Sequence, residues 1–408
     1  MFRSALTITR SRMNSNKRLT DRLRIWAEVD LDAIASNMRT VRGMLPEAAK
    51  IMAVVKADGY GHGAAEIAGT LTENGADMLG VAIFEEGAAL RRAGVKAPVL
   101  VLGRSAACDY DELIRHKLSQ TIVNAEDAAA LSKISVKNGA VAGVHIKIDT
   151  GMNRLGFKIS GKSVDDIEYI AKLPGLSVDG AFTHFAVSES REQGDIDFTR
   201  GQYERFIGFL AALEKRGIKI PIKHASNSGA VLNHPDMSMD LVRPGLILYG
   251  LNPSAECGAP GLMPAMRLMS RVSCVREIEA GESVSYGRMY RAGDRRKIAV
   301  VPAGYADGYP RAAGVGGRVM INEKFADIAG TVCMDMFMAD VTGIDGVEEN
   351  DEVVLFGGGG DKYIPVDEIA QKAGAISREI ICGIGKRTPR AYVKNGEVIR
   401  IAGGSQNG

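Results

Sequence analysis

No apolar run approaches the ~18 residues that a membrane-spanning helix requires, so no spanning helix and no membrane partner are expected. Cysteine is sparse and unpatterned. Cys108, Cys257, Cys274, Cys333 and Cys382 form no CxxC and are odd in number. A disulfide framework or a thiolate zinc site is therefore disfavoured, and a reducing compartment, the cytoplasm, is expected. The six histidines show no HxxxH or HExxH spacing, so no metal site is expected. Neither sign of charge dominates. The 51 basic and 49 acidic residues leave a net +2, without the basic surplus of a nucleic-acid binder.

What the chain has in excess is glycine, 48 of 408 residues, or about 12% against a usual ~7%. Many glycines in a charge-balanced chain point to tight turns and close backbone approach to a ligand. The length suits two or three domains. The first twenty residues hold five basic residues and no acidic one. They read as a transit peptide, a flexible extension of about residues 1–24, or sequence upstream of a true start at Met13.

From about residue 30 to 250, short β-branched runs alternate with helical spacing. The runs are IMAVVK (51–56), MLGVAI (78–83), APVLVL (97–102), TIV (121–123), VHIKID (144–149), LSVDGAFTH (176–184), IKIPIKH (218–224) and LVRPGLIL (241–248). Helical stretches include Ala64–Glu73, Glu85–Arg92, Ala125–Val136 and Phe198–Lys215. Eight strands alternating with helices predict a (β/α)8 TIM-type barrel over 25–255. After 255 the rhythm changes to strands divided by Gly-rich turns, with helical pattern only near Val366–Ala373. A mostly β C-terminal domain over 256–408 is predicted. The run at 357–360 is four glycines after VVLF, without GK[ST], and reads as a hairpin turn rather than a phosphate loop.

Barrel chemistry sits at the C-terminal strand ends. Lys56 closes the first run. Lys147 and Asp149 close the fifth, with Arg154 beyond. His184 closes the sixth. His224, Ser226, Asn227 and Ser228 follow the seventh, and Arg243 and Gly245 lie in the eighth. Lys56 follows four apolar residues and precedes Gly59, Gly61 and Gly63. Burial lowers a lysine's pKa, as Schiff-base chemistry needs. A lysine that snorkels to the barrel mouth fits the same spacing. The Ser226–Gly229 segment offers donors for a phosphate at a helix start, or a plain N-cap. A phosphate site and a Schiff-base lysine on one rim point to pyridoxal phosphate.

These residues resemble the alanine racemase family. AVVKADGYGHGA (53–64), KIDTGMNRLGF (147–157), THFA (183–186), SNSGA (226–230), RPGLILYGLNP (243–253), VSYGRMY (284–290), VPAGYADGYPR (301–311) and GTVCMDMF (330–337) follow that family's order and spacing. The resemblance runs from about Trp26 to Pro389. It implies a barrel plus a β domain, pyridoxal 5'-phosphate, a small amino-acid substrate, and a head-to-tail homodimer with shared active sites. By resemblance, Lys56 holds the cofactor and is the base on one face of the substrate. Tyr286 from the partner is the base on the other, and His184 bridges Tyr286 and Arg243. Arg243 faces the pyridine nitrogen. Arg154 and Met334 hold the substrate carboxylate, and Lys147 matches a lysine that the family often carbamylates. Tyr60, Ser228, Gly245 and Leu246 match phosphate contacts, with Asn227 beside them. Tyr305 and Arg311 match residues of the substrate corridor.

One departure is Arg378, where the family usually has a tyrosine reaching the phosphate and the pocket wall. It leaves a cofactor contact in place but alters the pocket lining. The expected function is PLP-dependent two-base racemisation of alanine, supplying D-alanine for peptidoglycan. The rivals are a racemase of broader specificity, a decarboxylase of the same fold, and a non-catalytic carrier built on one barrel.

Overall fold

The computed structural model describes residues 19–359 and 362–404; most of the basic N-terminal extension lies outside them. The chain divides into two compact units. One is residues 33–263. The other joins the residues up to Asp32 to those from Pro264 on.

The first unit is a nearly closed parallel barrel. Its eight strands are Lys50–Val54, Met78–Val81, Val99–Val101, Ser119–Ile122, Ala142–Asp149, Leu176–Phe182, Ile222–His224 and Leu241–Val242. Each of the first six pairs with the next in chain order, and the eighth pairs with the first. The seventh and eighth share no ladder. Asp240 N donates to Lys223 O (3.1 Å) and Arg243 N to Ser226 O (2.9 Å) across that gap. Met52, Met78, Leu100 and Leu241 pack together with Leu102 and Ile222, tying five strands into one apolar cluster. Gly80 makes this possible, since a Cβ there would stand 2.9 Å from Met52 Sδ.

The run at 241–248 was expected to be a full strand. Only Leu241–Val242 is, and Leu246–Tyr249 forms a 3-10 turn. Pro244 has no N–H to continue a ladder, which ends the strand early. The helices Ala64–Glu73 and Val366–Ala373 coincide with their expected spans. The helix expected from Phe198 begins five residues earlier, as Gln193–Lys215.

The second unit is built on an eleven-stranded, mostly antiparallel sheet. Ile25–Asp30, expected in the barrel, belongs here. It pairs antiparallel with Met266–Arg271 and parallel with Arg390–Lys394. The single tryptophan, Trp26, is fully buried there against Met269 and Ala391. Strand Glu352–Gly359 pairs with Lys362–Ile364. The glycine run therefore does flank a hairpin, whose tip lies outside the described residues. All five cysteines are free. Among the described residues, no helix is long and apolar enough to cross a membrane.

Candidate active site

The turn after the first barrel strand is left-handed. Ala57, Asp58, Gly59 and Tyr60 have φ of 52°, 52°, 64° and 53°. Three of the four carry a Cβ, and each such residue costs about 1–2 kcal/mol in this region. The turn is held from several sides. Asp58 Oδ1 accepts Ala64 N (2.9 Å), and Glu86 accepts Ala57 N (2.6 Å) on one oxygen and Ala82 N (2.7 Å) on the other. Glu86 thus straps the residue after Lys56 to the end of the second strand. Lys56 is half-buried. Tyr60 packs on Tyr249 at 5.0 Å, and Tyr249 Oη donates to Val54 O (3.0 Å). A Cβ on Gly245 would stand 2.8 Å from the Tyr60 hydroxyl, so this glycine permits close approach.

Phe182, at the end of the sixth strand, lies at the centre of the polar groups. Lys147 Nζ and the Arg243 guanidinium stand 4.9 and 5.2 Å from its ring centre, and the His224 ring stacks on it at 4.8 Å. Arg243 is buried. Its Nη2 donates to Thr183 O and Ala225 O, each at 2.8 Å, and its Nη1 donates to His224 Nδ1 at 3.0 Å. His184 Nδ1 lies 3.5 Å from Arg243 Nη2.

The electrostatics of this cluster are cationic. Burial lowers the Lys147 ammonium to about 7, helped by the charges of Arg243 and Arg154. Burial also holds His184 well below its ordinary value, with Arg243, Lys147, Arg154 and Lys56 adding to the effect. His184 is therefore neutral at pH 7. Burial lowers Arg243 to about 9, still protonated at neutral pH. Arg154 is exposed and makes no hydrogen bond among the described residues. Asp149 is occupied otherwise. It accepts Gly151 N, Asn153 N and Lys158 Nζ, and so shapes the loop that carries Arg154.

Asn227 caps the helix Ser228–Asn233, with Oδ1 accepting Ala230 N (3.0 Å) and the Ser188 hydroxyl (2.7 Å). Ser228 Oγ accepts Gly245 N (2.9 Å), which joins two of the loops named from the sequence. Leu246 is buried at the start of its 3-10 turn.

The β unit presents the other expected residues on three loops linked by hydrogen bonds. Ser285 Oγ donates to Thr331 O (2.7 Å), and Thr331 Oγ1 donates to Tyr286 O (3.2 Å). Tyr305 N donates to Cys333 O (3.1 Å) and Ala306 N to Met334 O (3.0 Å). Buried Asp307 anchors the set. It accepts Gly304 N, both Nη of Arg24, and Arg387 Nε (2.7 Å). The Tyr286 hydroxyl and the Met334 N–H make no hydrogen bond among the described residues. Arg311 and Arg378 are exposed, Arg378 in the helix Ser377–Cys382.

Glu86, Asp307, Phe182 and His145 were not singled out in the sequence. His145 had a signal. It alternates with Lys147 and Asp149, so all three share one strand face. Glu86 resembled an ordinary acidic first turn, and Asp307 an ordinary turn residue.

A cluster of lysine and arginine with neutral histidines suits an anionic ligand. Comparison with known proteins gives the family. Family models for the alanine racemase N-terminal and C-terminal domains match residues 29–253 and 265–392. An alanine racemase of Clostridium perfringens is 43% identical over 379 residues, covering 92% of this chain and 97% of that protein. One of Desulforamulus reducens is 41% identical, covering 90% and 99%. Among solved structures, alanine racemase of Clostridium difficile 630 superposes with a TM-score of 0.89 at 36% identity, covering 93% and 98%. That of Bacillus anthracis with bound L-Ala-P gives 0.87 at 34%, covering 93% and 97%. Matched over both units, the chain belongs to the alanine racemase family, a family of pyridoxal-phosphate-dependent isomerases.

Proposed function

We propose that this chain interconverts L- and D-alanine with pyridoxal 5'-phosphate, as a homodimer whose sites each combine one barrel with the partner's β unit. The observation that carries the reading is the rim of the barrel, where Lys56, Lys147, Arg154 and Arg243 surround a neutral His184. The donor set fits the cofactor. Lys56 would hold its aldehyde carbon; Tyr60, Ser228, Gly245 and Leu246 would meet its phosphate, with Asn227 ordering the loop and Arg378 adding charge. Arg243 would meet its ring nitrogen. When bound, the cofactor supplies the electron sink that makes the substrate Cα–H acidic.

Inversion requires a proton removed from one face of Cα and delivered to the other. Two bases of different origin do this with little reorganisation. Lys56 serves one face and the Tyr286 phenol the other. A phenol is a weak base near neutrality, with a free pKa of ~10. Burial, aided by the surrounding cations, keeps His184 unprotonated, so it would offer the phenol a hydrogen-bond acceptor. Arg243 has only donors and stays protonated. Against a ring nitrogen it would offer a donor and no acceptor, and so would favour the unprotonated ring. Arg154 and the unpartnered Met334 N–H would fix the substrate carboxylate, while Tyr305 and Arg311 line its approach. Lys147, lowered to about 7 by burial, carries a substantial neutral fraction at pH 7, the form that reacts with carbon dioxide to give a carbamate. D-Alanine made here serves cell-wall peptidoglycan, and the setting is the cytoplasm.

Mixing two inactive variants tests the shared site. Lys56→Ala and Tyr286→Phe chains, unfolded together and refolded, form mixed dimers in which one of two sites keeps both groups. Recovery to about a quarter of wild-type D-alanine release is expected for random pairing of a two-fold dimer. If each chain used its own tyrosine, the mixture would stay inactive.

A further inference from the structure

His145 is buried on the fifth strand, two residues before Lys147. Its Nδ1 stands 2.9 Å from His224 Nε2, and His224 Nδ1 stands 3.0 Å from Arg243 Nη1. The three groups form a chain whose direction chemistry dictates. Arginine only donates, so His224 Nδ1 must accept. The His224 proton is then on Nε2, where it points at His145. His145 Nδ1 must accept it, which leaves the His145 proton on Nε2. One tautomer is permitted at each ring.

The surroundings enforce this arrangement. Gly180 is the register partner of His145, and a Cβ there would stand 2.5 Å from its Nδ1. The His145 and His224 rings meet edge to face at 76°, while His224 lies flat on Phe182 at 13°. Neither ring can tilt freely. Burial and the Arg243 charge keep His145 near 4 and His224 well below its ordinary value, so both are neutral.

We propose that His145 is a positioning residue for racemisation, accepting the His224 Nε2 proton and so pinning the ring on which the Arg243 guanidinium rests. This rests on the reading above, in which Arg243 meets the cofactor ring nitrogen. Thr183 O and Ala225 O restrain one guanidinium nitrogen, and His224 restrains another. Without an acceptor at position 145, the His224 Nε2–H is left buried and unpaired. Moving the proton to Nδ1 would set a donor against Arg243, so the ring instead tilts towards another acceptor and its contact with Arg243 is displaced.

The test is long-range 1H–15N spectroscopy of 15N-histidine-labelled holoenzyme, with kinetics, on wild type, His145→Asn and His145→Leu. Asparagine returns an acceptor near the position of Nδ1; leucine does not. In wild type and His145→Asn, His224 should appear as the neutral Nε2–H tautomer, with kcat within about threefold of each other. In His145→Leu the His224 Nε2–H resonance should move from its hydrogen-bonded position, and kcat should fall about tenfold with KM for alanine little changed, because a positioned group is displaced. A wild-type His224 that is Nδ1–H or doubly protonated overturns the proposal. So does a leucine variant with unchanged kcat. If leucine prevents folding, loss of activity in a folded His145→Asn with His224 still Nε2–H overturns it as well. A wild type with the expected tautomers but no racemisation would instead count against the functional reading.

Discussion

Lys147, His224 and Arg243 are 5%, 0% and 4% exposed, whereas Tyr286, Met334 and Tyr305 are 73%, 53% and 44% exposed. Both sets were named for one reaction. In the barrel unit, Lys147, His224 and Arg243 are themselves buried, and their protonation is set by desolvation and mutual repulsion. In the β unit, the presented side chains are bare. What is buried is their support, Asp307 with its arginines and the backbone bonds that join three loops. The barrel tunes acidity; the β unit fixes position. Substitutions in the two regions should therefore fail in different ways.

The largest expected effect is from Tyr286→Phe. Loss of a positioned acid–base group should lower kcat roughly 10²–10⁴-fold. Because the phenol is exposed and unpaired among the described residues, thermal unfolding should not move. A fall in Tm matching the fall in activity would erase the contrast.

Lys147 tests the barrel side. Its folded pKa of about 7 lies below the ordinary lysine value of 10.5. Between these values the unfolded chain binds a proton that the folded chain does not. Stability therefore rises with pH from about 7 to 10.5, and below 7 the full penalty of a buried ammonium applies. Lys147→Met in carbon-dioxide-free buffer should flatten that slope and gain a few kcal/mol at neutral pH. On the acid side, His145, His184 and His224 are all lowered from 6.5, so stability falls as pH drops below that value. Urea unfolding across pH reads both limbs. A slope unchanged by Lys147→Met would place the titrating group elsewhere.

Asp307→Ala tests the support on the other side. It strips Arg24, Arg387 and Gly304 N of their acceptor. The arginines are partly exposed, so the cost should be about 2 kcal/mol rather than that of a fully buried pair. Activity should fall mainly through KM, since Tyr305 and Met334 lose register. A stable variant with unchanged KM would mean that the loops hold themselves.

The smallest effect concerns Arg378. Restoring tyrosine there should change the ratio of kcat/KM for alanine over serine by a few-fold, on the order of 1 kcal/mol of pocket discrimination. An unchanged ratio would remove Arg378 from the specificity argument.

The barrel was legible because local alternation of apolar and helical patterns writes each βα unit within about thirty residues. The strand Ile25–Asp30 was not, because its partners are some 240 and 365 residues away and pairing of that kind leaves no local pattern. The end of LVRPGLIL was overread, since its apolar content outweighed the missing N–H of Pro244. In the site, Lys56, Lys147 and Arg243 stood out as charges where apolar residues were expected. Glu86 and Asp307 did not, because an acid near a helix start or in a turn is ordinary. Their importance appears only when the backbone N–H groups and arginines they serve are seen in space.

Ala57 sits at φ 52° and ψ 48°, the mirror image of the ordinary helical basin. An L-residue pays a steric penalty there that its enantiomer would not. A semisynthetic protein with D-alanine at this position would relax the hinge behind the lysine by about 1–2 kcal/mol. A scaffold proposed to invert alanine thus holds within its own backbone a place where the inverted form fits better.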